Sequence, residues 1–397
     1  VGRFGCEFHD LGEQEVATLR LLITKFLGGE ITRVGDVLST MNRENFTKAR
    51  KQQVSAGLSG WQRVRALVVT LCSLAIGIAA LGYLASKIYE SYFVTVARSA
   101  VVEMSNVPVP AAGEGNVTFL VRPGRAAQLR EKGLQVFSPF GDLQITPQLV
   151  TKETLTETFD VILLTCKAFD LDSAMDAIAP AIGEQSAIVP LLNGVRHIDR
   201  LVTRFGAARV LGGVALISVT LAANGEIHHL NKLHRFTVGS LGWRPSPWLE
   251  PLSRLMESSG VDFVLADNIG QAMWDKMVFL ATLAGATCLM RSSVGTIMAT
   301  LAGESFINGL LDECAAVADA NGRKLGDTQL TVFRNMLTDR SSALVASMLR
   351  DVEANKQTEG DHILGDMISW AANKKLEVPL LKLAYSHLQA YERRRQG

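Results

Sequence analysis

Hydrophobic and polar positions divide the 397-residue chain into stretches of different period. Residues 1–60 mix short patterns. VGRFGCEF at the front reads as a short strand with turn glycines, residues 13–26 carry helical spacing (Val16, Leu19, Leu22, Phe26), and residues 44–53 are polar and basic, as in a linker. Residues 66–85, ALVVTLCSLAIGIAALGYLA, then run without a charge. At about 1.5 Å per residue, such a run matches a hydrocarbon core of roughly 30 Å, so residues 61–90 are expected to hold a transmembrane helix. The alternative is a helix buried in a soluble domain. Residues 91–115 contain Val107-Pro108-Val109-Pro110 and Gly113-Glu114-Gly115, the chemistry of a junction or an edge strand.

From Asn116 the pattern becomes a regular α/β alternation. Strands are expected at 117–121, 160–165, 187–192, 210–220, 227–229 and 236–239. A hairpin is expected between 135–137 and 143–145, and helices over 123–132 and 172–179. After about residue 266 the spacing is helical to the end. This order predicts a mostly parallel open sheet over 116–266, followed by an all-helical domain over 267–397. Residues 272–290, AMWDKMVFLATLAGATCLM, are apolar nearly all round and should pack inside a domain or between two. Lys276 stands one turn in. It either snorkels its amine to solvent or is desolvated into a proton donor near neutral pH.

Composition changes this picture little. Lysine plus arginine (40) balances aspartate plus glutamate (39), so no nucleic acid or other polyanion is implied as a partner. Cys6, Cys72, Cys166, Cys288 and Cys314 are scattered and odd in number, which suggests neither a disulfide framework nor a zinc site. His228 and His229 are adjacent, and neighbours on a strand point to opposite faces, so no metal is expected there. The flanks of residues 66–85 are asymmetric, with Lys48, Arg50, Lys51, Arg63 and Arg65 on one side and Lys87 on the other. That bias places the N-terminus in the cytoplasm and residues after Lys87 outside, as in a single-pass inner-membrane protein. The first residue, Val1, suggests that the natural start lies upstream.

An α/β half followed by a helical half invites a search for a dinucleotide fingerprint, and GxGxxG between a first strand and a helix is absent. Gly113-x-Gly115 runs straight into the 117–121 strand. Other positions suit a dinucleotide site. Arg122 closes a strand where NADP-specific proteins place a cation against the 2′-phosphate, Lys167 follows the 160–165 strand, and Asn193-Gly194 follows the 187–192 strand. Taken singly, these also read as a surface arginine, a loop cation and a turn. Ser347 and Glu359 taken alone read as solvated helix positions.

As an ordered set they resemble something specific. VTFLVRPGR, VILLTCKAFD, LLNGV, ANGEIHH, WDKMVFLATLAGATCLM, SSALVASMLRDVEANKQTEGDHILG and LEVPLLKLAYSHLQAYE together resemble the ketopantoate reductase (2-dehydropantoate 2-reductase) family over 116–397. The resemblance implies reduction of a 2-oxo acid by NADPH in a Rossmann-type domain followed by a helical one. It implies Lys276 as proton donor. Asn193, Ser347 and Glu359 would bind substrate, and Arg122, Lys167, Asn193 and Glu359 the cofactor. The expected partner is a small-molecule 2-oxo acid, with a homodimer left open.

Two departures stand out. Leu280 and Ala284 occupy positions where the family carries asparagines that hold the substrate, which favours a more apolar 2-oxo acid or a 1,3-dicarbonyl. The family's first strand, glycine loop and first helix are missing before Asn116; residues 101–109 could fill the gap in principle, but Pro108 and Pro110 lack amide donors, so the Rossmann-type domain is expected to be incomplete. Residues 1–115 instead resemble the tail of a PilZ domain and the single membrane span of an alginate polymerisation subunit. A fusion of two genes near residue 115 accounts for both halves. The reductase part is then expected to be cytoplasmic by origin, and a genuine membrane-anchored reductase is disfavoured because the topology places it where NADPH is not supplied. The competing class is a non-enzymatic membrane subunit of exopolysaccharide biosynthesis.

Overall fold

The computed structural model describes residues 61, 99–103, 116–242 and 246–396. The helix expected at 13–26, the span expected at 66–85 and the PilZ-like tail lie outside the described residues. The chain divides into two compact units, Val1–Ile88 and Tyr89–Gly397, and the elements described below belong to the second.

The first sheet consists of β1 (Ser99–Glu103), β2 (Asn116–Leu120), β5 (Gln148–Val150), β6 (Phe159–Leu164) and β7 (Ile182–Pro190), in the order β5-β2-β1-β6-β7. Every pair in it is parallel. This is the 3-2-1-4-5 order of a dinucleotide-binding sheet. The expectation of a missing first strand is therefore overturned. β1 pairs with β2 from Ser99↔Asn116 to Glu103↔Leu120, and with β6 from Ala100↔Val161 to Glu103↔Leu164. It fills the central position, and Pro108 and Pro110, which lack amide donors, fall outside it. The missing glycine motif is a different matter, since residues 104–115 are all that separate β1 from β2 and they contain no GxGxxG.

Parallel sheets are covered on both faces, which explains why Val161, Ile162, Leu163 and Leu164 are all buried in one unbroken run. α1 (Pro123–Lys132), α2 (Leu171–Ile178) and α3 (His197–Phe205) follow β2, β6 and β7 respectively. Proline at the first turn of α1 suits a position whose amide has no helical partner.

The second sheet has the order β10-β9-β3-β4, with β8 pairing β9. Its strands are β3 (Leu134–Phe137), β4 (Leu143–Ile145), β8 (Leu211–Leu221), β9 (Ile227–Ser240) and β10 (Asp262–Leu265), the last preceded by α4 (Leu249–Ser258). The expected hairpin is present as antiparallel β3 and β4. The two short strands expected at 227–229 and 236–239 are one long strand, whose exposed middle conceals the alternation. A register shift opposite Ile217 and Val219 absorbs that polar middle without ending the ladder. At Gly213 a Cβ would collide with the carbonyl oxygen of Pro190, so only glycine lets β8 lie this close to the end of β7.

The helical half comprises α5 (Ile269–Met290), α6 (Val294–Met298), α7 (Gly303–Ala320), α8 (Asp327–Leu337), α9 (Ser347–Glu353), α10 (Asp366–Asn373) and α11 (Pro379–Gln396). α5 is the axis of this half. Among the described residues it is the one helix long and apolar enough to cross a membrane, yet most of it is buried by neighbouring helices. Its two fully buried threonines are satisfied within the helix, Thr282 donating to the carbonyl of Val278 and Thr287 to that of Leu283. Asn268 caps its start by accepting from the Gln271 amide at 3.0 Å.

Candidate active site

The strands of the first sheet deliver side chains to one edge. Lys167 leaves β6 just before a short 3₁₀ turn, Ala168–Asp170, and Asn193 leaves β7 just before Gly194, whose φ of 88° is left-handed. The crevice beyond the carboxyl ends of such strands is where open α/β sheets bind ligands. From the helical half, Glu359 arrives immediately ahead of a π-helical turn, Asp361–Gly365. Its carboxylate is 4% exposed and collects three donors: Lys167 Nζ at 3.3 Å, Asn193 Nδ2 at 3.3 Å and the Ala168 amide at 3.0 Å. A buried carboxylate needs such compensation. Three of the residues singled out in the sequence are thus brought into one hydrogen-bonded group.

Asp351 completes this group, with Oδ2 at 3.2 Å from Lys167 Nζ. Burial pulls the Lys167 pKa down, but the charges of Glu359 and Asp351 and their hydrogen bonds outweigh it and leave it above the ordinary lysine value. Nothing in the sequence singled out Asp351 except its place one helical turn after Ser347. Ser347 itself is exposed in the first turn of α9, outside the hydrogen-bonded group but on the same helix face as Asp351.

Lys276 is partly buried on α5, and its ammonium donates to the carbonyl of Ala215 on β8 at 2.8 Å. It does not escape to solvent as a snorkelling lysine would. Burial lowers its pKa to about 8, with Glu359 pulling in the opposite direction. Behind it, His197 at 5% exposure is kept neutral. Burial, then the positive charges of Lys276 and His362, lower its pKa to about 3. Leu280 is partly buried and Ala284 sits in the helical core. Neither Cys288 nor Cys314 offers a nucleophile, since burial pushes both thiols up to about 12. Among the described residues no group of His, Cys, Asp or Glu is placed to hold a metal.

Arg122, beyond β2, reaches across to Asp170 at 2.7 Å. Both line a cavity of about 440 Å³ between the carboxyl ends of β2 and β6, together with Arg125, Lys152, Cys166 and Ser173. Arg125 Nη2 is buried there without a hydrogen-bond partner. Three cations, Arg122, Arg125 and Lys152, are set against two carboxylates, Asp170 and Glu153, so the cavity keeps a small positive excess that suits an anionic ligand. The sequence supplies no glycine motif for a pyrophosphate.

Residues 111–243 match ketopantoate reductase PanE/ApbA, and residues 268–392 match the C-terminal part of the same family. An uncharacterized oxidoreductase of Bacillus subtilis, YkpB, is 35% identical over 281 residues, covering 70% of this chain and 92% of YkpB. The alginate biosynthesis protein Alg44 of Pseudomonas putida is 44% identical over 124 residues, which are 31% of this chain and 32% of that protein. Among solved structures, a PanE/ApbA family ketopantoate reductase from Ralstonia eutropha superposes with a TM-score of 0.68 at 20% identity. It covers 75% of this chain and all of that one, and the likeness is one of fold.

Proposed function

Starting from the premise that this chain belongs to the ketopantoate reductase PanE/ApbA family, we propose that it carries the apparatus for NADPH-dependent reduction of a 2-oxo acid to the 2-hydroxy acid. The observation that carries this reading is the convergence of Lys167, Asn193 and Glu359 in one hydrogen-bonded group, with Lys276 under the charge of the same Glu359. NADPH, when bound, supplies the hydride. Asn193 and Lys167 would hold the nicotinamide end and Arg122 the 2′-phosphate end.

The chain's own residues do the rest. As the carbonyl carbon takes up the hydride, its oxygen gains negative charge, and the Lys276 ammonium beside it supplies first that charge and then a proton. Lys276 leaves the step neutral and regains its proton from solvent. The hydrogen bond to Ala215 occupies one of its three N–H groups and aims the other two. Glu359 favours the charged ammonium against the larger effect of burial, and also orders Lys167 and Asn193. Ser347, one turn from Asp351, is the proposed contact for the substrate carboxylate.

Leu280 and Ala284 offer no hydrogen bond, so the proposed substrate bears an apolar group next to its 2-oxo acid. The test is NADPH consumption by a chain in which residues 104–115 are replaced by a GxGxxG loop and helix, offered ketopantoate and 2-oxo acids with apolar side chains. Faster turnover of the apolar acids is expected, and no turnover of any 2-oxo acid would overturn the reading.

A second reading has its own observation. The match to Alg44 supports reading the chain as a fusion, whose front part is proposed to be an inner-membrane segment of alginate biosynthesis. If the fusion is expressed as written, detergent should be required to extract it from membranes. Release by salt or alkali alone would count against the span at 66–85.

A further inference from the structure

Two short segments meet where the parallel sheet adjoins the helical half: residues 193–196 after β7, and residues 359–366 around the π-helical turn. They touch at three successive levels. Asn193 Nδ2 donates to Glu359 at 3.3 Å. Gly194 lies so close to the carbonyl of His362 that a Cβ there would come within 3.2 Å of the oxygen. Arg196 Nε stands 2.9 Å from Asp366 Oδ1. The first level belongs to the candidate active site, and the third lies outside it.

Arg196 is more than one end of an ion pair. Its Cζ lies 5.3 Å from the centre of the Trp370 ring. Trp370, one turn after Asp366 on α10, tilts against Trp274 with 4.6 Å between ring centroids. Trp274 in turn stands two residues ahead of Lys276 on α5. A planar guanidinium suits an indole face better than an ammonium does. One side chain thus reaches α10 by charge and, through two indoles in contact, the helix that carries Lys276. The approach of Nε to Asp366 is too oblique for a hydrogen bond, and Asp366 Oδ2 is buried without a partner. Burial raises the Asp366 pKa, against the pull of Arg196 and His362. A pair so imperfectly satisfied adds little to stability, and what it can fix is position.

We propose that Arg196 is a positioning residue: by tying the turn after β7 to α10, it keeps Asn193 in register with Glu359 and Lys276. The proposal rests on the reductase reading above and deepens it. Asn193 comes from the sheet half, whereas Glu359 and Lys276 come from the helical half, and β8, β9, α4 and β10 all intervene between Asn193 and Lys276. The covalent chain therefore does little to set their spacing. A turn held at Asn193 alone can pivot about that hydrogen bond, and a second contact at Arg196 stops the pivot. Arg196 acts through Asn193 and belongs to no contact of the Glu359 group itself.

Two readouts separate positioning from plain stability. The Ala168 amide donates to Glu359 at 3.0 Å and sits on a different loop from Arg196, so its exchange with solvent reports on Glu359 from a distance. In the detergent-solubilised 397-residue chain, hydrogen exchange followed by mass spectrometry should run about tenfold faster at Ala168 in Arg196→Met than in the parent. Arg196→Lys keeps the charge but not the flat contact with Trp370, and should fall between the two. The second readout is kinetic, in the chain carrying GxGxxG and a helix in place of residues 104–115. There Arg196→Met should lower kcat by about 10- to 100-fold and leave the KM for NADPH within about twofold, as for a small misplacement of reacting groups. Arg196→Lys should recover part of kcat. If Arg196→Met fails to fold, Asp366→Asn removes the partner charge at nearly constant shape and is expected to change both readouts in the same direction. Parent-like kcat in the folded variants, or parent-like exchange at Ala168, would overturn the inference whatever happens to the melting temperature, and would leave the reductase reading intact. Faster exchange at Ala168 beside a restored parent that turns over no 2-oxo acid would uphold the tie and overturn the reductase reading.

Discussion

Lys276 shows how one residue acquires its chemistry from its surroundings. Its pKa is lowered to about 8 by burial against an ordinary lysine value of 10.5. A proton donor must begin protonated, so turnover should fall as pH rises through about 8, where an unperturbed lysine would hold the rate for two further units. The check is a pH–rate profile of the glycine-loop-restored chain, and a limb that stays flat to pH 10 would remove Lys276 from the role. In the same chain Lys276→Ala should lower kcat by about 10²–10⁴, because a positioned general acid acts in the transition state. NADPH affinity should change less than about threefold. His197 makes an opposite kind of statement, about stability. Unfolded, it takes a proton near 6.5; folded, it withholds it until about 3. The unfolded state therefore binds more protons in that window, and stability is lost as pH falls through it. His197→Gln should flatten that loss in melting temperature, and an unaltered slope would assign the acid lability elsewhere.

Elements obey longer-range rules than residues, and β1 is the clearest case. Its sequence, SAVVE, lies close to two prolines and looks like junction material, yet it bonds to both β2 and β6. A chain beginning at Asn116 strips both neighbours of their ladder partner. Unpaired buried backbone groups cost about 1–3 kcal/mol each, against a typical total of about 5–15 kcal/mol. Such a chain should fail to show a cooperative melt, whereas one beginning at Tyr89 should retain it. Similar melting temperatures for the two would mean that β1 is dispensable. The contrast also explains what could be read in advance. VILLTC in β6 is legible because burial on both faces leaves an unbroken apolar run, and α5 because it is apolar all round. β1 is harder to read, since the prolines at 108 and 110 argue against a strand over 101–109 and nothing local shows that it ends at Glu103 or which two strands it will sit between. β9 hides its middle because a projecting hairpin has no buried face to impose alternation. The site divides in the same way. Lys167, Asn193, Lys276 and Glu359 stand in recognisable motifs, but Asp351 and Asp170 matter only for what faces them, 184 residues away from Asp351 and 48 from Asp170.

At the scale of the whole molecule, the sheet has its full strand order while the connection from β1 to β2 lacks the dinucleotide motif. Those are separable functions: strand order is a matter of backbone pairing, whereas the glycine loop and the helix after it supply amide donors to a pyrophosphate. The chain should therefore fold its reductase half and still bind NADPH weakly. Hydrogen bonds to a charged group are each worth about 1.5–3 kcal/mol, so two lost pyrophosphate contacts remove about 3–6 kcal/mol, a factor of roughly 10²–10⁴ in affinity. The ends of the cofactor would keep their proposed contacts, at Arg122 on one side and at Lys167, Asn193 and Glu359 on the other. Two anchored ends cannot stand in for the middle, because the pyrophosphate carries charge that must still be desolvated. Calorimetric titration with NADPH of the detergent-solubilised 397-residue chain, beside the version carrying GxGxxG and a helix in place of residues 104–115, measures the difference directly. The restored chain should bind at least a hundredfold more tightly, and turnover at micromolar NADPH should appear only there. Micromolar binding by the unrestored chain would sink the idea, and would mean that a segment with no glycine fingerprint offers a pyrophosphate as many donors as the loop it replaces.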